Sequence, residues 1–168
     1  MKILLMNFIL GGRTGSETWT ATLGAELESL GHEVVYSSNA LKLEDNFDLA
    51  IINHQTCLIS SKNITCRKIY TSHGVIPNLE QPREGADVYV SVSEEVQQNL
   101  ESKRFKSTII RNGIDLDHFK PKTKVNKTLK NVLFSTNHNS KAVKDVEDAC
   151  KLLGLNFKRI GGANVVDD

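Results

Sequence analysis

The 168-residue chain lacks most of what would place it in a specialised class. Its 21 Lys and Arg against 20 Asp and Glu leave a formal net charge of +1. Bulk electrostatics therefore select no polyanionic partner, and no nucleic-acid role is expected. No apolar run is long enough to span a bilayer. The N-terminal apolar segment follows a single Lys and runs into a glycine turn rather than a small-residue cleavage site. It reads as a strand, not a signal peptide. The three cysteines, Cys57, Cys66 and Cys150, are odd in number and lack metal-ligand spacing. The expectation is reduced, mainly buried thiols in a cytoplasmic protein, with no metal. The sequons starting at Asn63 and Asn126 then carry no meaning. The dinucleotide fingerprint G-x-G-x-x-G is missing too, because Gly11, Gly12 and Gly15 have the wrong spacing.

What is present begins at the N-terminus. Ile3, Leu4, Leu5, Met6, Phe8, Ile9 and Leu10 predict a strand over residues 2–10, buried on both faces as a parallel sheet requires. A turn follows, Gly11-Gly12-Arg13-Thr14-Gly15-Ser16-Glu17. Trp19, Leu23, Leu27 and Leu30 then recur at helical spacing and predict one buried face. Thr14 and Glu17 stand in a capping-box relation, and Gly31 occupies the C′ position. A helix N-terminus at a sheet edge gathers unpaired N–H groups and partial positive charge, which suits an anion or a sugar phosphate. The plainer alternative is that any α/β protein needs a turn after its first strand.

Further short apolar runs at 33–36, 49–52, 68–71, 88–92 and 107–110 predict more strands. A short helix is expected between 56 and 65, and Ser93 caps a helix carrying Val96 and Leu100. The alternation predicts an α/β fold with a parallel sheet, whose ligands bind outside the carboxyl ends of its strands. Polar residues gather at those ends: the glycine turn, His54, His73, Ser93 and Asn112. Each has a dull explanation. A lone His is commonly satisfied by a carbonyl, Ser93 serves as an N-cap, and Asn112-Gly113 is a turn signal. Their concentration on one edge favours a binding cleft there.

Residues 120–130 are Lys-rich and read as a solvated linker, with a basic surface for a membrane or polyanion as the alternative. Val132-Leu133-Phe134 then predicts a strand. A helix capped by Ser140 follows, with Val143, Val146, Cys150 and Leu153 on one stripe and Gly154 at its end. Residues 155–160 predict another strand. This is a second β-α-β start, expected as a domain that opens at 131 and does not close by 168.

Taken together, Gly11-Gly12, Gly15-Ser16-Glu17 and Leu27 through Leu30-Gly31-His32-Glu33-Val34 resemble the N-terminal domain of retaining family 4 glycosyltransferases of the GT-B fold. Later motifs match in order: Ile52-Asn53-His54-Gln55, Tyr70-Thr71-Ser72-His73-Gly74, Val90-Ser91-Val92-Ser93-Glu94, and Asn112-Gly113-Ile114-Asp115 with Phe119 and Pro121. The resemblance covers residues 1–121. It departs from the family in three residues added before the first helix, in Arg111 where proline is frequent, and in Phe134-Ser135-Thr136-Asn137-His138. It implies a Rossmann-like parallel sheet with helices on both faces, an acceptor-side domain over 1–119, a linker over 120–130, and the start of a nucleotide-sugar-binding domain over 131–168.

The activity so implied is sugar transfer from a nucleotide sugar to a sugar, glycan or other small acceptor, with retention of configuration and no further cofactor. His73 would be the catalytic contact to sugar or acceptor. Gly11, Gly12 and Gly15 would let the helix N-terminus approach the donor, with Arg13 a phosphate or acceptor contact. His54, Ser93 and Asn112 would line the cleft. The chain would be a fragment or shortened form, inactive by itself, with peripheral membrane contact possible but not indicated. Two alternatives stay open: a non-catalytic carbohydrate- or partner-binding module, and another Rossmann-like protein such as an epimerase or a flavodoxin-like regulator.

Overall fold

The computed structural model describes residues 1–11, 15–76, 78–120, 127–135 and 141–160. The chain forms two compact units, Met1–Ile114 and Asp115–Asp168.

In the first unit, short apolar runs become six parallel strands: β1 (Lys2–Met6), β2 (Glu33–Ser37), β3 (Leu49–Asn53), β4 (Arg67–Ser72), β5 (Val88–Ser91) and β6 (Ser107–Ile109). Their order is β2-β1-β3-β4-β5-β6. Leu4 lies opposite Val35 on one side and Ala50 on the other, so β1 is central. Among the described residues, three helices flank the sheet: α1 (Gly15–Ser29), α2 (Gln55–Ser60) and α3 (Glu94–Ser102). Leu4, Met6, Ala50, Ile52, Cys57, Leu58, Ile64 and Tyr70 form the core. This is a Rossmann-like α/β fold. Its order reverses between β1 and β3, and open α/β sheets bind ligands at such a switch point.

The first strand is shorter than its apolar run. It ends at Met6, and Phe8, Ile9 and Leu10 are 49%, 50% and 42% exposed. Asn7 explains the stop. Its side chain is fully buried and bonded to Thr20, and β2 ends beside it at Ser37. Beyond it the chain leaves the ladder and turns at Gly11, whose φ is +79°.

The buried face of α1 also differs from the expected one. Glu17, Thr20 and Gly24 are buried, whereas Trp19, Leu23 and Leu27 are half-buried and Leu30 is exposed. Leu30 belongs to the cap rather than to the helix face. Gly24 faces Tyr36 of β2, and a Cβ there would overlap the tyrosine ring. Close helix–strand approach, not leucine packing, sets the face.

The helix ends follow local rules. At Gly31, φ +85°, the amides of Gly31 and His32 return to the carbonyls of Glu28 and Leu27, a Schellman closure. Ser93 Oγ accepts the Val96 amide at 3.3 Å at the start of α3. Thr14 and Ser140, the other expected caps, lie outside the described residues.

The second unit pairs β7 (Asn131–Ser135) in parallel with β8 (Asn156–Ile160), joined through α4 (Lys141–Leu152). Gly154, φ +64°, closes α4 as Gly31 closes α1. Cys150 is buried, but Leu153 is exposed, because it too is a cap residue rather than part of the buried stripe. All three cysteines are free thiols. Among the described residues, no helix is long and apolar enough to cross a membrane.

Candidate functional site

The carboxyl ends of β1, β3 and β4 bring together a buried polar cluster. Each strand delivers a polar residue where its apolar run stops: Asn7 after β1, Asn53 and His54 at the end of β3, and Ser72 and His73 at the end of β4. Helix α1 supplies Ser16, Trp19 and Thr20 from its first two turns.

Thr20 is the knot. Its hydroxyl donates to the Ser16 carbonyl at 2.8 Å and accepts from Asn7 Nδ2 and Asn53 Nδ2, each at 3.0 Å. Asn7 Oδ1 is buried and has no hydrogen-bond partner among the described residues. Asn53 Oδ1 lies 3.3 Å from His73 Nε2, and the Trp19 ring meets the His73 ring edge-on at a centroid distance of 4.8 Å.

Glu80 joins the two histidines. It is 8% exposed and ends a short 3₁₀ turn, Asn78–Glu80. One carboxylate oxygen accepts the His73 amide at 2.8 Å, and the other faces His54 Nδ1 at 3.4 Å. The second contact is a close approach without hydrogen-bond alignment. The loop around Glu80 is pinned. Tyr70 Oη reaches the Gln81 carbonyl at 3.1 Å, Ser72 Oγ donates to the Glu80 carbonyl at 2.9 Å, and Gln55 donates to the Asn78 carbonyl. Burial pushes the Tyr70 hydroxyl well above its ordinary range, so it stays a neutral donor.

His54 sits at φ +70°, ψ 135°, a region that a side-chain-bearing residue occupies at a cost of about 1–3 kcal/mol. Its Nε2 lies 3.4 Å from Ser16 Oγ, and Phe8 stands edge-on to its ring at 6.5 Å. Burial holds the His73 imidazole below its ordinary pKa; Glu80 opposes this and His54 adds to it. His73 is therefore neutral at neutral pH.

Beside the cluster, Ile9, Leu10, Gly11, Glu17, Thr20, Ala21 and Tyr36 line a cavity of about 160 Å³. Thr20 is common to both. Among the described residues, no group of His, Cys, Asp and Glu could hold a metal ion.

Of the residues singled out in the sequence, His54 and His73 converge. Gly11 lines the cavity, and Gly15 opens α1. Gly12 and Arg13 lie outside the described residues. Ser93 serves as the α3 cap, and Asn112 is exposed. Beside Asn112, Arg111 pairs with Glu94 on the surface. The sequence reading missed Asn7, Asn53, Thr20 and Glu80. Asn7 and Asn53 carried a signal, a polar residue interrupting or ending an apolar run. Glu80 carried none, because the loop after His73 has no periodicity.

No protein-family model matches the chain, and no curated protein matches it significantly.

Proposed function

We propose that the chain carries the acceptor side of a retaining glycosyltransferase that moves a sugar from a nucleotide-sugar donor to a hydroxyl-bearing acceptor. The single observation that carries this reading is the meeting of His54 and His73, from two separate motifs of the resemblance, at the β1/β3 switch point beside the start of α1. In such a transfer the leaving diphosphate gains negative charge, and the N-terminal amides of α1 are suited to receive it. The neutral His73 imidazole offers a hydrogen-bonding edge to a sugar or acceptor hydroxyl without introducing charge. Asn53, tied through Thr20 to Asn7, holds the ring at its Nε2 side, so the edge on offer is the Nδ1 side.

The test is release of nucleoside diphosphate from a panel of nucleotide sugars by the protein as its gene encodes it. Turnover of at least one donor is expected, and His73→Ala should lower kcat by about 10²-fold or more. A protein that turns over none of them, or an unaffected His73→Ala variant, overturns the reading.

A second reading is a non-catalytic carbohydrate- or partner-binding module. The exposure of Phe8, Ile9 and Leu10 at the site's edge favours it, since adjacent exposed apolar side chains suit a contact surface. Glycan binding without turnover would select this reading over the first.

A further inference from the structure

The direction of the hydrogen bonds around Thr20 follows from one carbonyl. The Ser16 carbonyl only accepts, so its 2.8 Å contact with Thr20 Oγ1 consumes the single hydroxyl proton of Thr20. The lone pairs of that oxygen then face Asn7 and Asn53 at 3.0 Å each, and both amides must turn Nδ2 toward it. Asn53 is thereby left with Oδ1 toward His73 Nε2 at 3.3 Å. An amide oxygen only accepts, so the neutral His73 ring carries its proton on Nε2 and a lone pair on Nδ1. The ring is half-buried, and Nδ1 has no hydrogen-bond partner among the described residues. That edge is the one left for a ligand.

We propose that Thr20 is the positioning residue of this site: through Asn53 it fixes His73 as the Nε2–H tautomer, so that Nδ1 selects a ligand group that carries a proton, such as a hydroxyl, and rejects one that only accepts, such as a phosphate or carboxylate oxygen. The inference rests on the transfer reading above for its ligand, whereas the tautomer rests on the hydrogen bonds alone. It divides the labour of the site. The leaving diphosphate offers acceptor oxygens, so the Nδ1 lone pair repels it, and it belongs to the N-terminal amides of α1. A sugar or acceptor hydroxyl donates to Nδ1 and is held there.

Burial keeps this relay from being averaged by water. Thr20, Asn53 and Asn7 are 3%, 1% and 0% exposed. A reversed Asn53 amide would set its oxygen against the Thr20 lone pair and leave a buried group unsatisfied, at a cost of about 1–3 kcal/mol. The three residues come from α1, from β3 and from the end of β1, so the polarity is a product of the fold and not of one turn. Trp19, one residue before Thr20 on α1, meets the His73 ring edge-on at 4.8 Å and limits its rotation.

The test reads the tautomer directly, by long-range ¹H–¹⁵N correlation of the imidazoles in the full chain at about pH 8, where an ordinary histidine is neutral. His73 should show Nε2–H. Thr20→Ser keeps a hydroxyl for the Ser16 carbonyl and should keep the tautomer. Thr20→Val keeps the shape and removes the hydroxyl, so Asn53 Nδ2 loses its acceptor. The amide is then free to turn Nδ2 toward His73 Nε2, and an Nδ1–H signal should appear. A merely structural role for Thr20 would lower stability and leave the tautomer as it was. The selection is read on a nucleotide sugar that the protein as its gene encodes it binds, with analogues that replace one hydroxyl at a time by fluorine. One position should raise Kd about 10-fold or more in wild type. Thr20→Val should shrink that penalty, because Nδ1–H can face fluorine.

A wild-type His73 that is Nδ1–H or doubly protonated overturns the proposal, as does an unchanged tautomer in Thr20→Val or a shifted one in Thr20→Ser. A fluorine series with no position lost in wild type overturns the ligand selection. Should Thr20→Val not fold, the wild-type and Thr20→Ser spectra decide. If wild type binds no nucleotide sugar, the ligand falls with the transfer reading. An Nε2–H tautomer that Thr20→Val disturbs would then show that the transfer reading failed and the Thr20 relay did not.

Discussion

The two units are built from the same local signals and reach different degrees of burial. In the six-stranded sheet, β1 is buried along four consecutive residues, Ile3 to Met6. In the two-stranded sheet, β7 alternates, with Val132 and Phe134 half-buried and Leu133 61% exposed. Both units have an apolar strand, a helix, and a glycine that closes the helix through the same pair of amide returns. The difference is the number of neighbours. A strand flanked on both sides and covered by helices loses water from both faces, whereas a paired edge strand loses it from one. Burial is a property of the sheet, and an apolar triplet cannot report it.

The largest break in this comparison should come from core truncation. Leu4→Ala empties a site with no exposure and should cost about 2–5 kcal/mol, while Leu133→Ala should stay within about 0.5 kcal/mol. Hydrogen exchange of β1 and β7 amides would separate the two responses. Similar costs in both units would break the comparison.

Substitution of the two closing glycines should sharpen it. Gly31 and Gly154 both have positive φ, and an added Cβ meets nothing at either. Gly31→Ala and Gly154→Ala should therefore each cost about 1–2 kcal/mol from backbone strain, equally in the two units. Unequal costs would mean that the caps depend on packing after all.

The smallest effect expected is one of pH, and it belongs to the first unit. Burial lowers the His73 pKa in the folded state, while the unfolded chain titrates near the ordinary value of 6.5. Above that value the contribution of neutral His73 to stability is fully present. As the pH falls from 6.5 toward the lower folded value, the unfolded state takes up its proton first and stability declines. The urea midpoint of β1 exchange should drop between about pH 8 and about pH 5, and His73→Phe should reduce that drop. An unchanged slope in the variant would assign the titration elsewhere.

The sequence was legible wherever the determinant is local. The strands at Leu49–Asn53 and Val88–Ser91, the Ser93 cap and both glycine closures could be read because neighbouring residues decide them. It misled where apolarity stood in for pairing. Phe8, Ile9 and Leu10 continue the β1 run but have no ladder to join, and Leu30 and Leu153 keep helical spacing beyond the helix end. It was silent on the site's composition. His54 and His73 could be suspected from strand ends. Glu80 could not, because it lies 26 residues after His54 in a loop whose shape is held by Tyr70, Ser72 and Gln55.

By itself, then, the chain determined an alternating α/β order, its helix ends, and an edge at which polar residues stop each strand. Hydrogen-bond chemistry and hydrophobic period act over a few residues and need no tertiary contact. Only the tertiary structure decided that β1 lies between β2 and β3, that Thr20 ties Asn7 to Asn53, and that one buried carboxylate serves two histidines. Those facts depend on which strand ends become neighbours. Strand order and register decide that, by burying the most apolar surface across the whole sheet.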